Sequence, residues 1–357
     1  MKVVHVVEAF STGIFDFLVE LTNNLPESEL IIIHGKREET PEDFERSFPI
    51  NTQFIHWQNA SRELSLSKDF LALKELFTIF RALNNIGAIH LHSSKAGFLG
   101  RIVTRALGYQ HKVIYTPHAV SFLRKDVTFL KNRLFVLLES LSARLSGVVV
   151  ACSKSEAEEF TKVGIQALFV NNGMVSKKLP LPEAHESLII ATIGRISFQK
   201  NPALFNEIAT YFLNRSNVKF VWIGEGELSH LLVAKNITIS GWLEKEEVLR
   251  CVNNTDIYLS TSLWEGLPIS VLQAMSAKKP VVLSNCIGNK DLVRGNGFLF
   301  DGKDNAIQLI DLLLNDAEQR HAFGKISEQL VQDNFSVEQM VAGYWQLYLT
   351  CQKIEGE

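Results

Sequence analysis

The stretch LIIATIGRISFQKNP, residues 188–202, decides the fold. Leu188–Ile193 is a short apolar run rich in β-branched side chains, Gly194 and Arg195 end it, and Pro202 opens a segment of helical periodicity. An apolar strand that turns tightly into a helix is the repeating unit of a parallel sheet covered by helices on both faces. Arg195 and Lys200 sit on the connection, where the carboxyl edge of such a sheet presents its ligand-binding groups. The stretch SLWEGLPISVLQ, residues 262–273, has the same form: strand Ile257–Ser260 precedes it and Pro268 stands near a helix start. Gly266, Leu267, Pro268 and Ile269 therefore fall at a helix amino terminus, whose free N–H groups attract anions. An arginine fork beside a lysine point charge suits a diphosphate.

The alternation extends in both directions. Before residue 175 the spacing predicts strands at Val3–Val7, Glu29–His34, Asn51–His56, Ala88–His92, Lys112–Thr116, Gly147–Ala151 and Leu168–Asn171. Helices are expected at Ile14–Asn24, Asp69–Asn85, Gly97–Leu107, Thr128–Leu145 and Ser153–Val163. A proline-containing stretch without periodicity, residues 176–187, reads as a linker. After it, strands are expected at Val218–Ile223, Ile237–Ser240, Ile257–Ser260 and Pro280–Leu283, with helices at Pro202–Leu213, Lys245–Asn253 and Ile269–Ala277. Helical segments Ala306–Asn315 and Ala317–Leu349 close the chain. The pattern predicts an α/β protein of two Rossmann-like, doubly wound domains facing across a cleft, residues 1–178 and 179–335, with a final helix at about 336–357 packing back on the first.

Composition narrows the class. With 46% hydrophobic and 21% charged residues, the 357-residue chain is neither disordered nor a coiled coil. No apolar run reaches the length of a membrane span, and Cys152, Cys251, Cys286 and Cys351 are too dispersed for a disulfide framework or a zinc site. His5 and Glu8 interrupt the apolar start, so a signal peptide is not expected and the reading is of a soluble, cytoplasmic protein. Charge is uneven: the net value is +3 over residues 1–180 and −6 beyond. Between 87 and 155 ten basic residues face only Asp126 and Glu139, which fits either a solvated face or a surface that meets an anion. No Asp-x-Asp, P-loop or Gly-x-Ser-x-Gly motif occurs. His90 and His92 alternate on one strand, a weak basis for a metal site without further ligands.

Glu265 followed by Gly-Leu-Pro, Gln273 eight positions on, and Gly194-Arg195 with Lys200 earlier resemble the family-4 retaining glycosyltransferases of GT-B fold. The resemblance covers nearly the whole chain. It implies that Arg195 and Lys200 bind the donor diphosphate, that Glu265 meets the donor sugar, and that Gln273 takes the place of the carboxylate that holds the ribose. Gly13 stands in the family's loop after the first strand, where a second glycine is usual. His118, in Tyr115-Thr116-Pro117-His118, matches the histidine beside the transferred sugar. Gly224 and Gly226 fall at the nucleotide, and Trp242 either contacts the base or packs in the core.

The resemblance implies transfer of a hexose or N-acetylhexosamine from a nucleotide diphosphate sugar, UDP-linked by preference, to a glycan or lipid-diphosphate-linked acceptor, as in capsule or O-antigen assembly. No cofactor or metal is expected, and no nucleic acid. Ser93, Ser94 and Lys95 open a helix and either hold an acceptor phosphate or merely cap it. An epimerase, a phosphorylase or a degenerate regulatory subunit would use the same architecture; an epimerase would turn over without acceptor. Residues Phe122–Leu145 mix basic and apolar side chains. They are read either as core or as a peripheral anchor on the inner face of the membrane, with Phe122 and Leu123 exposed at its start.

Overall fold

In a computed structural model that describes residues 1–61, 65–175, 183 and 186–353, the chain divides into two units, Met1–Gly173 with Val337–Glu357, and Met174–Ser336. The first begins β1 (Lys2–Val7), α1 (Thr12–Asn24), β2 (Glu29–His34), β3 (Gln53–His56), α2 (Leu66–Ala82), β4 (Ala88–His92) and α3 (Ser94–Ala106). It continues β5 (Val113–Thr116), α4 (Phe129–Leu145), β6 (Val148–Ala151), α5 (Lys154–Lys162) and β7 (Ala167–Phe169). Its seven strands are all parallel, in the order β3-β2-β1-β4-β5-β6-β7. The order reverses at β1, the feature that defines a doubly wound sheet. Nearly continuous burial of β1, β2, β4 and β5 explains why these strands read as apolar runs.

The second unit repeats the plan: β8 (Leu188–Ile193), α6 (Pro202–Tyr211), β9 (Val218–Ile223), β10 (Ile237–Ile239), α7 (Lys245–Asn253), β11 (Ile257–Ser260) and α8 (Ile269–Ser276). Then come β12 (Val281–Ser284), β13 (Gly297–Phe300), α9 (Lys303–Asn315) and α10 (Ala317–Asn334). The six strands run parallel in the order β10-β9-β8-β11-β12-β13. Helix α11 (Val337–Lys353) belongs to the first unit, where Met340, Tyr344, Tyr348 and Cys351 are buried. Each such side chain stabilises the docked helix by on the order of 2 kcal/mol.

Several expectations need correction. The tail is three helices rather than two, because Phe335 and Ser336 break the expected Ala317–Leu349 segment into α10 and α11. Strand β13 was not expected: it starts at Gly297, where a Cβ would lie 1.9 Å from the Val281 carbonyl oxygen, and glycine lowers strand propensity. Helix α2 lies three residues earlier than expected, fixed by the Asp69 carboxylate that accepts from Ser65 N at 3.0 Å. Phe122 is buried and Leu123 partly so, both in the first unit's core, so they offer no exposed anchor. Most of the expected linker, and the boundary at 178/179, lie outside the described residues.

Candidate active site

At the carboxyl edge of the second unit's sheet two strand-end loops interlock. Gly194 and Gly224 both have φ of 133°, and a Cβ on Gly224 would lie 2.5 Å from the Gly194 carbonyl oxygen. Ile196 N donates to the Glu225 carbonyl at 2.8 Å, the Trp222 indole donates to the Gly194 carbonyl at 2.7 Å, and Gly226 packs on Ile196. This lattice leaves Arg195 exposed, with Nε donating to Glu227 Oε2 at 3.1 Å. Trp242, just past β10, is 57% exposed; the core reading for it is therefore corrected, and its indole is free to stack on a planar ligand.

Lys200 and Glu265 meet at the same edge. Lys200 Nζ donates to Glu265 Oε1 at 2.8 Å, and Gln199 Nε2 donates to Glu265 Oε2 at 3.2 Å and to the Trp264 carbonyl at 2.9 Å. Burial works against the Lys200 ammonium, yet the Glu265 carboxylate outweighs it and holds its pKa above the ordinary lysine value. The loop before α8 is pressed into place by Gly288, where a Cβ would lie 2.7 Å from the Gly266 carbonyl oxygen, and by Glu265 N donating to the Ile287 carbonyl. Gly266, Leu267 and Pro268 are buried and Ile269 half-buried. Pro268 is the N-cap of α8 and has no side-chain acceptor for the first N–H groups. Gln273, on the second turn, is half-buried. A fixed cation beside uncapped amides is an arrangement suited to an anionic ligand. Gln199, Glu227 and Gly288 were not singled out from the sequence; only the adjacency of Gln199 to Lys200 hinted at the first.

In the first unit His118 follows β5 in the left-handed region, with φ of 53°, and Ala119 follows at 75°. Such strain persists only where surroundings impose it. Here the Glu156 carboxylate, fully buried, accepts from Ala119 N at 3.0 Å, Val120 N at 2.8 Å and Cys152 N at 2.8 Å. Burial raises the Glu156 pKa, the three amide bonds pull it back, and it settles at about 7. Ser153-x-x-Glu156 reads as an ordinary capping box, which concealed this second role. Both ring nitrogens of His118 are engaged, Nε2 with His92 Nδ1 at 3.0 Å and Nδ1 with Cys152 Sγ at 3.4 Å. Burial lowers its pKa to about 3, so the imidazole is neutral near pH 7 and is poorly placed to act as a proton acceptor.

His92 Nε2 in turn meets His5 Nδ1 at 3.0 Å, and His90 bonds Tyr348 Oη at 2.7 Å and Thr116 Oγ1 at 2.8 Å. His5, His90 and His92 have ligating atoms within 4.8 Å of one another. Their nitrogens are already occupied by this network, apart from His5 Nε2. Nearby, Ser93 caps α3 with φ of 73°, its Oγ 3.4 Å from Glu8 Oε2, while Glu8 pairs with Arg37. Tyr115 Oη lies 3.5 Å from Ser94 Oγ. Lys95 Nζ is held by Asp69 at 2.7 Å, so its charge is already neutralised. Gly13, in the first turn of α1, is exposed, and a Cβ there would meet no atom of the chain.

The sequence agrees with this geometry. Residues 28–173 match the glycosyl transferase 4-like domain and residues 176–330 the glycosyl transferases group 1 domain. The UDP-Gal:alpha-D-GlcNAc-diphosphoundecaprenol alpha-1,3-galactosyltransferase of Escherichia coli is 29% identical over 281 residues, 68% of this chain and 69% of that one. The O-antigen biosynthesis glycosyltransferase WbnH of Escherichia coli is 28% identical over 281 residues, covering 75% and 79%. Among solved structures, sucrose-phosphate synthase from Thermosynechococcus elongatus superposes with a TM-score of 0.81 at 15% identity, over 100% of both chains. Anabaena HepE in complex with UDP and glucose gives 0.77 at 14% identity, over 97% and 98%; these two likenesses bear on fold alone. The chain belongs to the glycosyltransferases of GT-B fold, a glycosyl transferase 4-like domain followed by a group 1 domain.

Proposed function

We propose that this glycosyltransferase moves a hexose or N-acetylhexosamine from a UDP-sugar to a lipid-diphosphate-linked sugar, with retention of anomeric configuration, in surface-polysaccharide assembly. The observation that carries the reading is the Lys200–Glu265 pair beside the uncapped start of α8, with exposed Arg195 on the neighbouring strand end. As the bond from the anomeric carbon to the diphosphate breaks, negative charge grows on the leaving oxygen, and Arg195, Lys200 and the α8 amides stabilise it without a metal. The acceptor hydroxyl oxygen bonds to the same face of that carbon, and its proton passes to a diphosphate oxygen. Glu265 binds sugar hydroxyls, Gln273 accepts from the ribose, and Trp242 stacks on the base. Ser93 and Ser94, whose partners are weak, bind the acceptor phosphate, and Lys95 positions α3 through Asp69. The galactosyltransferase relative acts on a diphosphoundecaprenol-linked sugar, which supports this acceptor class.

The acceptor class puts the enzyme at the inner face of the cell membrane as a peripheral protein. No helix among the described residues is long and apolar enough to cross a membrane. A thermal-shift series with UDP in the presence of chelator tests the donor reading. UDP at 100 times its dissociation constant should stabilise the fold by about 2.7 kcal/mol. A shift that requires added Mg²⁺ or Mn²⁺ would contradict the metal-free part.

A further inference from the structure

Helices α2, α3 and α4 each follow a strand of the first unit, so their amino termini all lie at the carboxyl edge of its sheet, and α3 packs against both others. The helices do not end level. Trp57, the first residue past β3, donates its indole N–H to the Ala72 carbonyl, and Gln58 N and Asn59 N donate to Glu75. The chain leaving the sheet thus meets α2 at its second and third turns, at Ala72 and Glu75, and about 9 Å of helix, at 1.5 Å per residue, projects beyond the first of these contacts. On the other side, Glu139 of α4 accepts from Tyr115 Oη at 2.8 Å and from Arg101 at 3.0 Å. Tyr115 is the penultimate residue of β5, so about 15 Å of α4 projects past it. The start of α3 is lower: Tyr115 Oη also reaches Ser94. Ser93 and Ser94 form a floor, and the tips of α2 and α4 stand on either side.

Those tips are apolar and exposed, Leu66 at 96%, Phe70 at 66%, Phe129 at 70% and Leu130 at 79%, with the Arg133 guanidinium 5.0 Å over the Phe129 ring. Exposed leucines continue down α4 at Leu134, Leu137, Leu141 and Leu145. The charge around them is positive. Within 65–74 and 125–138 the acidic residues are Asp69 and Asp126, paired with Lys95 and Arg124. Lys68, Lys74, Lys125, Lys131 and Arg133 add five cations, all exposed. An isologous contact with a second copy would bring this basic rim against itself. An anionic bilayer accepts both parts, apolar tips among acyl chains and cations among head groups.

We infer that the projecting tips of α2 and α4 insert into an anionic bilayer on both sides of the Ser93–Ser94 floor and hold it at the head-group level. This deepens the lipid-linked acceptor reading and rests on it. The floor then meets the diphosphate of a lipid whose tail stays in the membrane.

The test is co-sedimentation of the full chain with phosphatidylcholine vesicles, with and without phosphatidylglycerol, at low and high salt. Wild type should pellet with the anionic vesicles at low salt only. The triple variant Phe70→Ser, Phe129→Ser, Leu130→Ser should partition at least about tenfold more weakly. It should keep the wild-type melting temperature and UDP affinity, since all three side chains are exposed. Wild type that ignores anionic vesicles at low salt, or a variant that binds as well as wild type, overturns the inference. A wild-type dimer that the triple variant makes monomeric also overturns it, assigning the tips to a second copy. Transfer to a short-chain polyprenyl-diphosphate-linked N-acetylglucosamine, measured without vesicles, tests the acceptor reading separately; failure there with intact vesicle binding sinks that reading and not the anchor.

Discussion

The two units handle charge at their sheet edges in opposite ways. In the second, Arg195 is exposed beside Glu227 and Lys200 is fixed by Glu265, whose other carboxylate oxygen accepts from Gln199, so both cations lie in a unit where α8 starts with no side-chain cap. In the first, the ionisable groups around the strand ends β1, β4 and β5 face inward, apart from the cations at the tips of α2 and α4: Glu156 ties down three backbone amides, Arg101 pairs with Glu139 at 3.0 Å in the core, and burial keeps His5, His90, His92 and His118 neutral. The difference assigns roles. On the proposed function, ionic groups of the second unit serve a ligand whose charge changes during reaction, while Glu156 of the first holds a strained turn in shape. Fixed cations beside free helix amides suit a transition state that gains negative charge, whereas a buried carboxylate satisfied by amides stabilises only the fold.

The sharpest way to break this comparison is Lys200→Gln, which keeps a donor for Glu265 and removes the charge. Turnover at saturating donor should fall about 10²–10³-fold, the range for a lost transition-state donor worth about 3–4 kcal/mol. Its urea midpoint should also fall, because Glu265 loses its counter-ion, but the protein should stay folded under assay conditions, so the turnover loss is read on folded enzyme. A variant with full turnover would return Lys200 to a structural role.

Glu156→Ala should do the reverse. Three buried N–H groups lose their acceptor, at a cost of about 3 kcal/mol or more in stability. UDP affinity, which the proposed function assigns to the second unit, should be unchanged in the protein that still folds. Weakened UDP binding with unaltered stability would invert the assignment.

The pH dependence of stability sharpens the first unit's half. His5 and His118 are held at about 3, and His90 and His92 lowered, all first by burial. Between those values and the unfolded histidine pKa of about 6.5, the unfolded chain binds more protons, so stability is lost as pH falls below 6.5. Glu156, raised to about 7, works the other way: the folded state holds its proton longer, favouring the fold as pH falls from 7 toward 4.5. Four histidines outweigh one carboxyl. Urea midpoints should decline from pH 7 to 5.5, and a flat or rising series would show that the histidines are charged or solvated in the fold.

Much of this was legible in the sequence, and what was not has physical causes. Strands such as Leu188–Ile193 and Ala88–His92 announce themselves because both faces are buried, and the sequence pattern matches their ends. Glycine and proline punctuation likewise marked the two strand-end loops that bring Lys200 and Glu265 together. Glu227 and Gln199 were hidden because each acts through a side-chain partner 32 and 66 residues away in sequence. His5 joins His90 by strand register, which no local pattern encodes. Phe122 and Phe129 look alike in sequence; only the fold shows the first in the core and the second at a helix tip.

Gln273→Glu is expected to have the smallest effect. A carboxylate would make charge-assisted bonds to ribose hydroxyls and tighten UDP binding by about 1–2 kcal/mol, with turnover little changed. Calorimetric titration of both forms decides it, and weaker binding by the variant would mean that the site is built around the amide.

The most direct test of the central claim is a transfer assay with purified protein in chelator, offering UDP-sugars and a polyprenyl-diphosphate-linked N-acetylhexosamine, with the product's anomeric configuration read by NMR. The account predicts acceptor-dependent release of UDP and a product that retains the donor's α-configuration. Turnover of the UDP-sugar without acceptor, or a β-linked product, would contradict it.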